Sequence, residues 1–317
     1  MKILATGDIH IKLGQKNVPI EWQKDRYRML ASEISTLAME CDLIMVMGDF
    51  FDRIPSMEEL DLYFEMIDSW SSHRVIIYPG NHEALKRNTT FLTHLKVATR
   101  AMSSGNATII DDYYEEDNWQ IVPYNRVKEF EKKPFYNKPI CFTHVRGEIP
   151  PHVKPEVNLE IFDGFTAVFA GDLHSHSNSQ RNITYPGSPV TTSFHRDLVD
   201  SGVVIIDTTA MEYDFHKLEL PQLIRKKVSD PAEMVQTDYH HTVYELECEV
   251  GSTKVENELL DKKIVKKESV STLNLTGNES LTDEIQIYLR NVLKLDNTKI
   301  NEVLQAFHDN IKETDLE

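Results

Sequence analysis

The chain has little that would place it in a membrane or in an oxidising compartment. Its longest apolar runs, such as 43–47, are of strand length, far short of the roughly 20 residues that cross a bilayer. Residues 1–6 are too few for a signal h-region and meet Asp8 at once, so a cytoplasmic protein is expected. Cys41, Cys141 and Cys248 are odd in number, far apart and without paired spacing; this excludes a disulfide frame and a zinc thiolate cluster and points to free thiols. Cations are scarce as well: 34 Lys and Arg stand against 51 Asp and Glu, a net charge of −17. Phosphate backbones are bound by Lys and Arg that neutralise them, so any nucleic-acid reading needs a basic patch or a basic partner. There is no internal repeat and no low-complexity linker. At 317 residues, 40% hydrophobic and 27% charged, the chain suffices for one large domain and a smaller one.

What is present is a series of short apolar runs, each ending in Asp, Asn or His. The run 43–47 closes on Gly48-Asp49-Phe50-Phe51-Asp52, which reads as a buried strand delivering a carboxylate to its C-terminal end. An earlier run ends at Gly7-Asp8-Ile9-His10, and later ones at Gly80-Asn81-His82-Glu83, Thr143-His144 and Gly171-Asp172-Leu173-His174. One Gly-Asp means little. Strand ends that each release such a residue converge on one point if the strands lie side by side, and that point is a candidate metal site with Asp49 at its centre. Residues two apart on extended chain face the same side, so Asp8 and His10 can address one ion. A dinuclear hydrolase needs a bridging carboxylate holding two ions about 3.5–4 Å apart, with terminal His, Asp and Asn ligands and open positions for water and phosphate. The chain offers that inventory: Asp49 bridges, a metal-bound hydroxide attacks phosphorus in line, and His82 is free to stabilise the transition state or protonate the leaving oxygen.

Between the strands the spacing predicts helices. Leu30, Ile34, Leu37 and Ala38 mark one over 25–40. Ser56-Met57-Glu58-Glu59 fits a capping box for a second, with Leu60, Phe64, Ile67 and Trp70 as its buried stripe. Residues 90–104 form a third, stopped by Gly105. This alternation implies a parallel sheet covered on both faces, with its site beyond the carboxyl ends of the strands. Residues 107–111 add a short strand, 119–124, 139–143 and 166–170 read as strands of a second sheet, and 183–185 and 202–207 continue the β pattern. The acidic stretch 111–117 reads as a solvated turn, and Lys128, Lys132 and Lys133 as solvated cations, with a phosphate contact as the alternative.

The expected fold is α/β, a two-sheet β-sandwich flanked by helices over 1–215. A small α+β module at 216–277 follows, with β-like stretches at 243–249 and 269–275 around a charged amphipathic segment at 253–265. A C-terminal helical hairpin spans 278–317, its helices at 281–293 and 298–311. The stripes Leu281, Ile285, Tyr288, Leu289, Val292 and Ile300, Val303, Leu304, Phe307 pack on their own domain or dock a partner. His73, His94, His195, His216, His240, His241 and His308 have no partner spacing and read as ordinary surface or core residues; His152 lies in a proline-rich loop.

Taken in order, Asp-x-His, Gly-Asp-x-x-Asp, Gly-Asn-His-Glu, a His and Gly-Asp-x-His resemble the calcineurin-like metallophosphoesterase family. Within it, Gly48-Asp49-Phe50-Phe51-Asp52 before Pro55-Ser56, and the loop Tyr185-Pro186-Gly187-Ser188-Pro189, look like the SbcD-type nucleases of DNA double-strand-break repair; the likeness covers residues 1–207. It implies one ion held by Asp8, His10, Asp49 and His174, and another by Asp49, Asn81, His144 and Asp172. His82 matches the catalytic histidine, and Asp52 the residue that orients it. There is one departure: the family usually has Gly-His-x-His where this chain has Gly171-Asp172-Leu173-His174. A hard carboxylate oxygen there shifts preference toward Mn²⁺ or Mg²⁺ and away from zinc. It also leaves a rival register in which His174 and His176 are the ligand pair, although the spacing directly after the strand favours Asp172 and His174.

The resemblance further implies a Mn²⁺-dependent DNA exonuclease and endonuclease, a homodimer that binds an SbcC-type coiled-coil ATPase through the C-terminal hairpin, with the 216–277 module capping the site and contacting DNA. A partner that grips DNA would soften the charge problem. The acidic balance supports, as an alternative, a phosphatase or cyclic-nucleotide phosphodiesterase on the same scaffold. A scaffold protein that has lost its metals is opposed by the intact Asp8, His10, Asp49, Asn81 and His82.

Overall fold

The computed structural model describes residues 1–249, 257–266 and 279–311. The chain begins as a repeated strand and helix: β1 (Lys2–Thr6), α1 (Ile20–Ala38), β2 (Leu43–Met47), α2 (Met57–Ser69), β3 (Val75–Tyr78), α3 (Lys96–Met102) and β4 (Ala107–Ile109). A second run gives β5 (Tyr114–Glu115), β6 (Trp119–Val122), α4 (Tyr124–Lys132), β7 (Ile140–His144), β8 (Ala167–Gly171) and β9 (Ile183–Thr184). Then β10 (Gly202–Asp207) and β11 (Glu212–Lys217) return to the first sheet, whose order is β11-β10-β1-β2-β3-β4; the second sheet is β5-β6-β7-β8-β9. Strands β1 to β4 are mutually parallel, as are β6 to β9, while β10 and β11 add antiparallel edges.

Strand alternation sorts the core into layers. In β2, Leu43, Met45 and Met47 face the second sheet and pack with Trp119, Ile121, Ile140, Phe142 and Phe169, while Ile44 and Val46 face α1 and α2 among Leu30, Ile34, Leu62 and Ile67. The outer face of the second sheet, through Cys141, Val168 and Ala170, is covered by Val127 and Phe130 of α4. Every residue of β2 is buried, which is why it reads as an unbroken apolar run rather than an alternating one. The expected sandwich flanked by helices is therefore the fold observed, and the parallel strands of both sheets present their carboxyl ends, with His144 and Gly171 paired in register across β7 and β8.

Several local expectations are met or shifted. Ser56 caps α2 with the full box, its hydroxyl accepting from the Glu59 N–H at 3.2 Å and its own N–H donating to Glu59 Oε2 at 2.7 Å. Helix α1 starts five residues before its apolar stripe suggests, because the polar Gln23 and Arg26 are buried through hydrogen bonds, Arg26 to the Thr191 carbonyl at 2.9 Å. The helix expected over 90–104 is split into a 3₁₀ turn at Phe91–Leu95 and the short α3. Helix α4 occupies the basic stretch around Lys128 and Lys132, to which the sequence assigns no element; only Val127 and Phe130 mark its apolar side, too few to declare a period.

Beyond 217, β12 (Leu223–Val228), β13 (His241–Glu249) and β14 (Leu260–Lys266) form a third sheet. Residues 260–266 are thus a strand, not part of an amphipathic segment: the free edge of β13 offers backbone partners, and Lys262 pairs with the buried Glu245 at 2.7 Å. The rest of that segment up to residue 256, and the β-like stretch at 269–275, lie outside the described residues. Helices α5 (Leu281–Asn291) and α6 (Asn297–Ile311) follow as the expected hairpin, with Leu289 and Ile300 buried and Ser280 capping α5. By internal packing the chain divides into one unit of Met1–Leu246 with Glu256–Lys262 and another of Glu247–Val255 with Lys263–Glu317. Among the described residues no helix is long and apolar enough to cross a membrane.

Candidate metal centre

The loops after β1 and β2 leave their strands by sharp left-handed turns. Asp8, His10 and Asp49 have φ of 52°, 48° and 50°, and Asp172 after β8 has 104°. Asp and His tolerate this region better than most residues, yet each such turn costs about 1–3 kcal/mol, a cost typical of functional sites. Main-chain bonds zip the first two loops together: Asp8 N–H to the Gly48 carbonyl at 3.1 Å, His10 N–H to the Asp49 carbonyl at 2.9 Å, and Ile11 N–H to the Phe50 carbonyl at 2.8 Å. Gly48, itself at φ 85°, must be glycine, since a Cβ there would sit 2.5 Å from His144 Nδ1.

The side chains at these strand ends meet. Asp8, His10 and His174, then His10, Asp52 and His82, then Asp8, Asp49 and His144 each offer three donor atoms lying within 4.8 Å of one another. Asp49 Oδ2 is 3.4 Å from His144 Nε2, 3.6 Å from His10 Nε2 and 4.0 Å from His82 Nε2, so it is central. Asn81 Oδ1 lies 2.8 Å from His144 Nε2. Asp172 Oδ1 lies 3.9 Å from His144 Nε2, and the Asp172 N–H donates to both oxygens of Asp8 at 3.0 and 3.1 Å. All nine singled-out residues share one site. His176 does not: its Nδ1 bonds the Tyr185 carbonyl at 2.7 Å and its ring stacks on Phe215 at 4.5 Å.

Three of the four histidines are oriented through Nδ1. In His144 it meets the Met47 carbonyl at 2.9 Å, in His174 the Thr192 hydroxyl at 3.1 Å, and in His82 the Asp52 carbonyl at 2.6 Å. An N–H spent there leaves the Nε2 lone pair for the site. Asp52 thus orients His82 by its main chain, while its carboxylate pairs with Lys12 at 2.8 Å and faces His10 Nδ1 at 3.7 Å.

Electrostatically the cluster is unsettled on its own. Burial lowers the His10 imidazole to about 3, with His174 and His82 adding to the effect of the cavity against the pull of Asp49. Burial opposes charge on His144 too, but Asp49 overcomes it, helped by Asp8 and Asp172, and pushes the imidazole up to about 10. Asp8 is raised well above the usual carboxylate range by burial and by Asp49, whereas Asp49, despite burial, is held low by the facing histidines. His10 Nε2 and His174 Nε2 oppose each other at 3.1 Å, and His10 Nδ1 is buried without a hydrogen-bond partner. Opposed lone pairs and crowded carboxylates call for a cation, so this oxygen and nitrogen donor set fits divalent ions.

Some contributors carry only a faint sequence signal. Glu83, within the Gly-Asn-His-Glu stretch but without an expected role, is fully buried and accepts from the N–H groups of Asp49 at 3.0 Å, Phe51 at 2.9 Å and Gly80 at 2.8 Å. It ties the β2 and β3 loops together. Arg146, two residues beyond His144, donates to both Asp172 oxygens at 3.2 and 3.3 Å. Ser188, in the Tyr-Pro-Gly-Ser-Pro loop, donates to the Asp8 carbonyl at 2.7 Å, and its N–H donates to the His174 carbonyl at 3.1 Å; that loop therefore links the ends of β1 and β8.

Residues 1–176 match the family model described as calcineurin-like phosphoesterase. The chain is 41% identical over 317 aligned positions to a protein of Escherichia phage T5 named "Probable exonuclease subunit 1", spanning 96% of this chain and 97% of that one. Among solved structures, it is similar to a novel archaeal phosphodiesterase, 14% identical, covering 69% of this chain and 100% of the other at a TM-score of 0.38. It is also similar to a protein of Thermus thermophilus, 11% identical, covering 68% and 98% at a TM-score of 0.43. Those two likenesses are too loose to bear on chemistry.

Proposed function

The chain belongs to the calcineurin-like phosphoesterase family, and from that premise we propose that it is a divalent-metal-dependent DNA nuclease, exonuclease and endonuclease, acting as the catalytic subunit of an SbcCD-like recombination and repair assembly. The observation that carries this reading is the meeting of Asp8, His10, Asp49, Asn81, His144, Asp172 and His174 at one rim, supported by the name of the phage relative as an exonuclease subunit.

In this reading Asp8, His10 and His174 would hold one ion and Asn81, His144 and Asp172 the other, with Asp49, central among them, available to both. Hard oxygens from three aspartates and one asparagine favour Mn²⁺, with Mg²⁺ second. When bound, such ions supply Lewis acidity to the phosphoryl oxygens and acidify water. The rest is done by the chain. His82, aimed by the Asp52 carbonyl and half-exposed beside the cluster, contacts the phosphate or hands a proton to the leaving oxygen. Asp49 is kept ionised by its histidine neighbours and so would stay available to both ions; Asp8, His10, Asp49 and His144 are buried, while Asn81, Asp172 and His174 keep contact with solvent, where water and substrate would enter.

A coiled-coil ATPase of SbcC type docks on α5 and α6, where Leu281, Tyr288, Val292, Leu293 and Val303 are exposed apolar residues, and the active form is a homodimer in the host cytoplasm. Degradation of linear duplex DNA with Mn²⁺, alone and with the ATPase, tests the reading; no metal-stimulated degradation in either case refutes it. Faster turnover of an aryl monoester or a cyclic nucleotide than of DNA would move the assignment to the phosphatase or cyclic phosphodiesterase class, which the −17 charge favours.

A further inference from the structure

The carboxylates of the candidate centre do not have the same neighbours. Asp8 and Asp49 face histidines and main-chain N–H groups, whereas Asp172 is held by a cation. Arg146 donates from Nε to Asp172 Oδ2 at 3.2 Å and from Nη2 to Oδ1 at 3.3 Å. The oxygen that takes the second of these bonds is also the one turned toward the cluster, 3.9 Å from His144 Nε2. The main chain of Asp172 is fixed by its N–H, which donates to both oxygens of Asp8, so only rotation of the side chain can change which group these oxygens serve.

A neighbour that merely aims a metal-binding side chain helps the ion, and its loss costs about 10–100-fold in affinity. A guanidinium acts with the opposite sign. It always carries its charge, and here it lies one hydrogen bond from the oxygens that a divalent cation would use, where like charges repel through surroundings that screen less than water. The side chain of Asp172 is 5% exposed and that of Arg146 is 43% exposed, so the pair is weak enough to be given up when an ion arrives. Lys12, another cation at the rim, is 35% exposed but pairs with Asp52 at 2.8 Å, and Asp52 is no ligand in the proposed reading.

We propose that Arg146 competes with a metal ion for Asp172 and thereby keeps the ion assigned to Asn81, His144 and Asp172 at lower affinity than the ion assigned to Asp8, His10 and His174. The proposal rests on the two-ion nuclease reading and adds to it the order of loading. At low Mn²⁺ the chain holds one ion, and the second enters only when its concentration suffices to displace the guanidinium.

Titration calorimetry of the full-length, metal-free protein with Mn²⁺ at one fixed pH, with no substrate present, tests it. The wild type should bind two ions of unequal affinity. Arg146→Gln should tighten the weaker one by about tenfold, the size of effect usual for a group that touches a ligand from outside. A damaged fold does not bind metal better, so this gain separates the competition from a merely structural role. Lys12→Gln removes a rim charge without freeing a ligand and should change the weaker ion by less than about threefold, as for a screened neighbour. Should Arg146→Gln fail to fold, Arg146→Lys decides: a point charge cannot cover both oxygens, so the weaker ion should tighten by about threefold. A weaker ion unchanged or lost in Arg146→Gln, an equal gain in Lys12→Gln, equal affinities in the wild type, or no Mn²⁺ bound by the wild type would overturn the proposal. Mn²⁺-dependent DNA degradation is measured in parallel: the gain without degradation leaves the competition and removes the nuclease, while degradation with unchanged Mn²⁺ affinities does the reverse.

Discussion

Removing the Glu83 carboxylate should loosen the whole centre although no metal would touch it. Its three acceptor bonds go to buried N–H groups of Asp49, Phe51 and Gly80, at 3.0, 2.9 and 2.8 Å. Glu83→Ala orphans all three. At about 1–3 kcal/mol for each buried donor left unpaired, and with partial relaxation, the loss is about 3–6 kcal/mol. Glu83→Gln is milder. If its oxygen takes the place of Oε2, it keeps two bonds and points an amide at the Phe51 N–H, one unsatisfied donor and about 1–3 kcal/mol. Unfolding in urea with EDTA present, so that metal does not mask the difference, should rank wild type, Gln and Ala in that order, and Mn²⁺ affinity should fall in the same order because Asp49 N–H and Gly80 N–H fix the bridging loop. If Glu83→Ala loses less than about 1 kcal/mol, or destabilises the fold while leaving metal affinity untouched, the account of Glu83 as the tie between the two loops is wrong.

The remaining predictions concern the ions and the reaction. His144 is raised in the metal-free protein to about 10 from an ordinary 6.5, so its contribution to folding is fully present below 6.5 and is lost as pH climbs through about 10. Metal needs the neutral ring, so Mn²⁺ binding at pH 8 should release about one proton, read by calorimetry in buffers of different ionisation enthalpy; release of none would contradict it. His82→Asn should retain bound metal and lose about 10²–10⁴-fold in kcat, separating a residue that acts on substrate from a ligand; elemental analysis after gel filtration checks the metal. His174→Ala should lose an equivalent of metal, whereas His176→Ala, whose ring bonds the Tyr185 carbonyl and stacks on Phe215, should keep it. The opposite outcome restores the rival register.

Much of the site is legible in the sequence because strand ends in a parallel sheet obey a simple rule: a buried apolar run stops where polar side chains begin, and neighbouring strands stop at the same rim. Asp8, Asp49, Asn81, His144 and His174 stand out that way. What escapes has no such marker. Glu83 acts through backbone groups of other loops, Arg146 through an aspartate 26 residues away, and Asp52 through its carbonyl, which no side-chain pattern encodes. Helix α4 and strand β14 escape for a related reason. The two buried apolar residues Val127 and Phe130 are too few to set a period, and β14 is so charged that only the edge offered by β13 marks it as a strand.

The sequence by itself determined which residues could bind a cation and which runs would be buried, since these follow from side-chain chemistry and from a period of two or of 3.6. Only the tertiary structure decided how the donors are aimed. The left-handed turns at Asp8, His10 and Asp49, the Nδ1 contacts of His82, His144 and His174, and the turning of His176 away onto Tyr185 and Phe215 all arise where two loops meet. Spacing along the chain can favour one of two neighbouring side chains, but the direction in which each ring is turned depends on partners from other loops, which only the folded chain supplies.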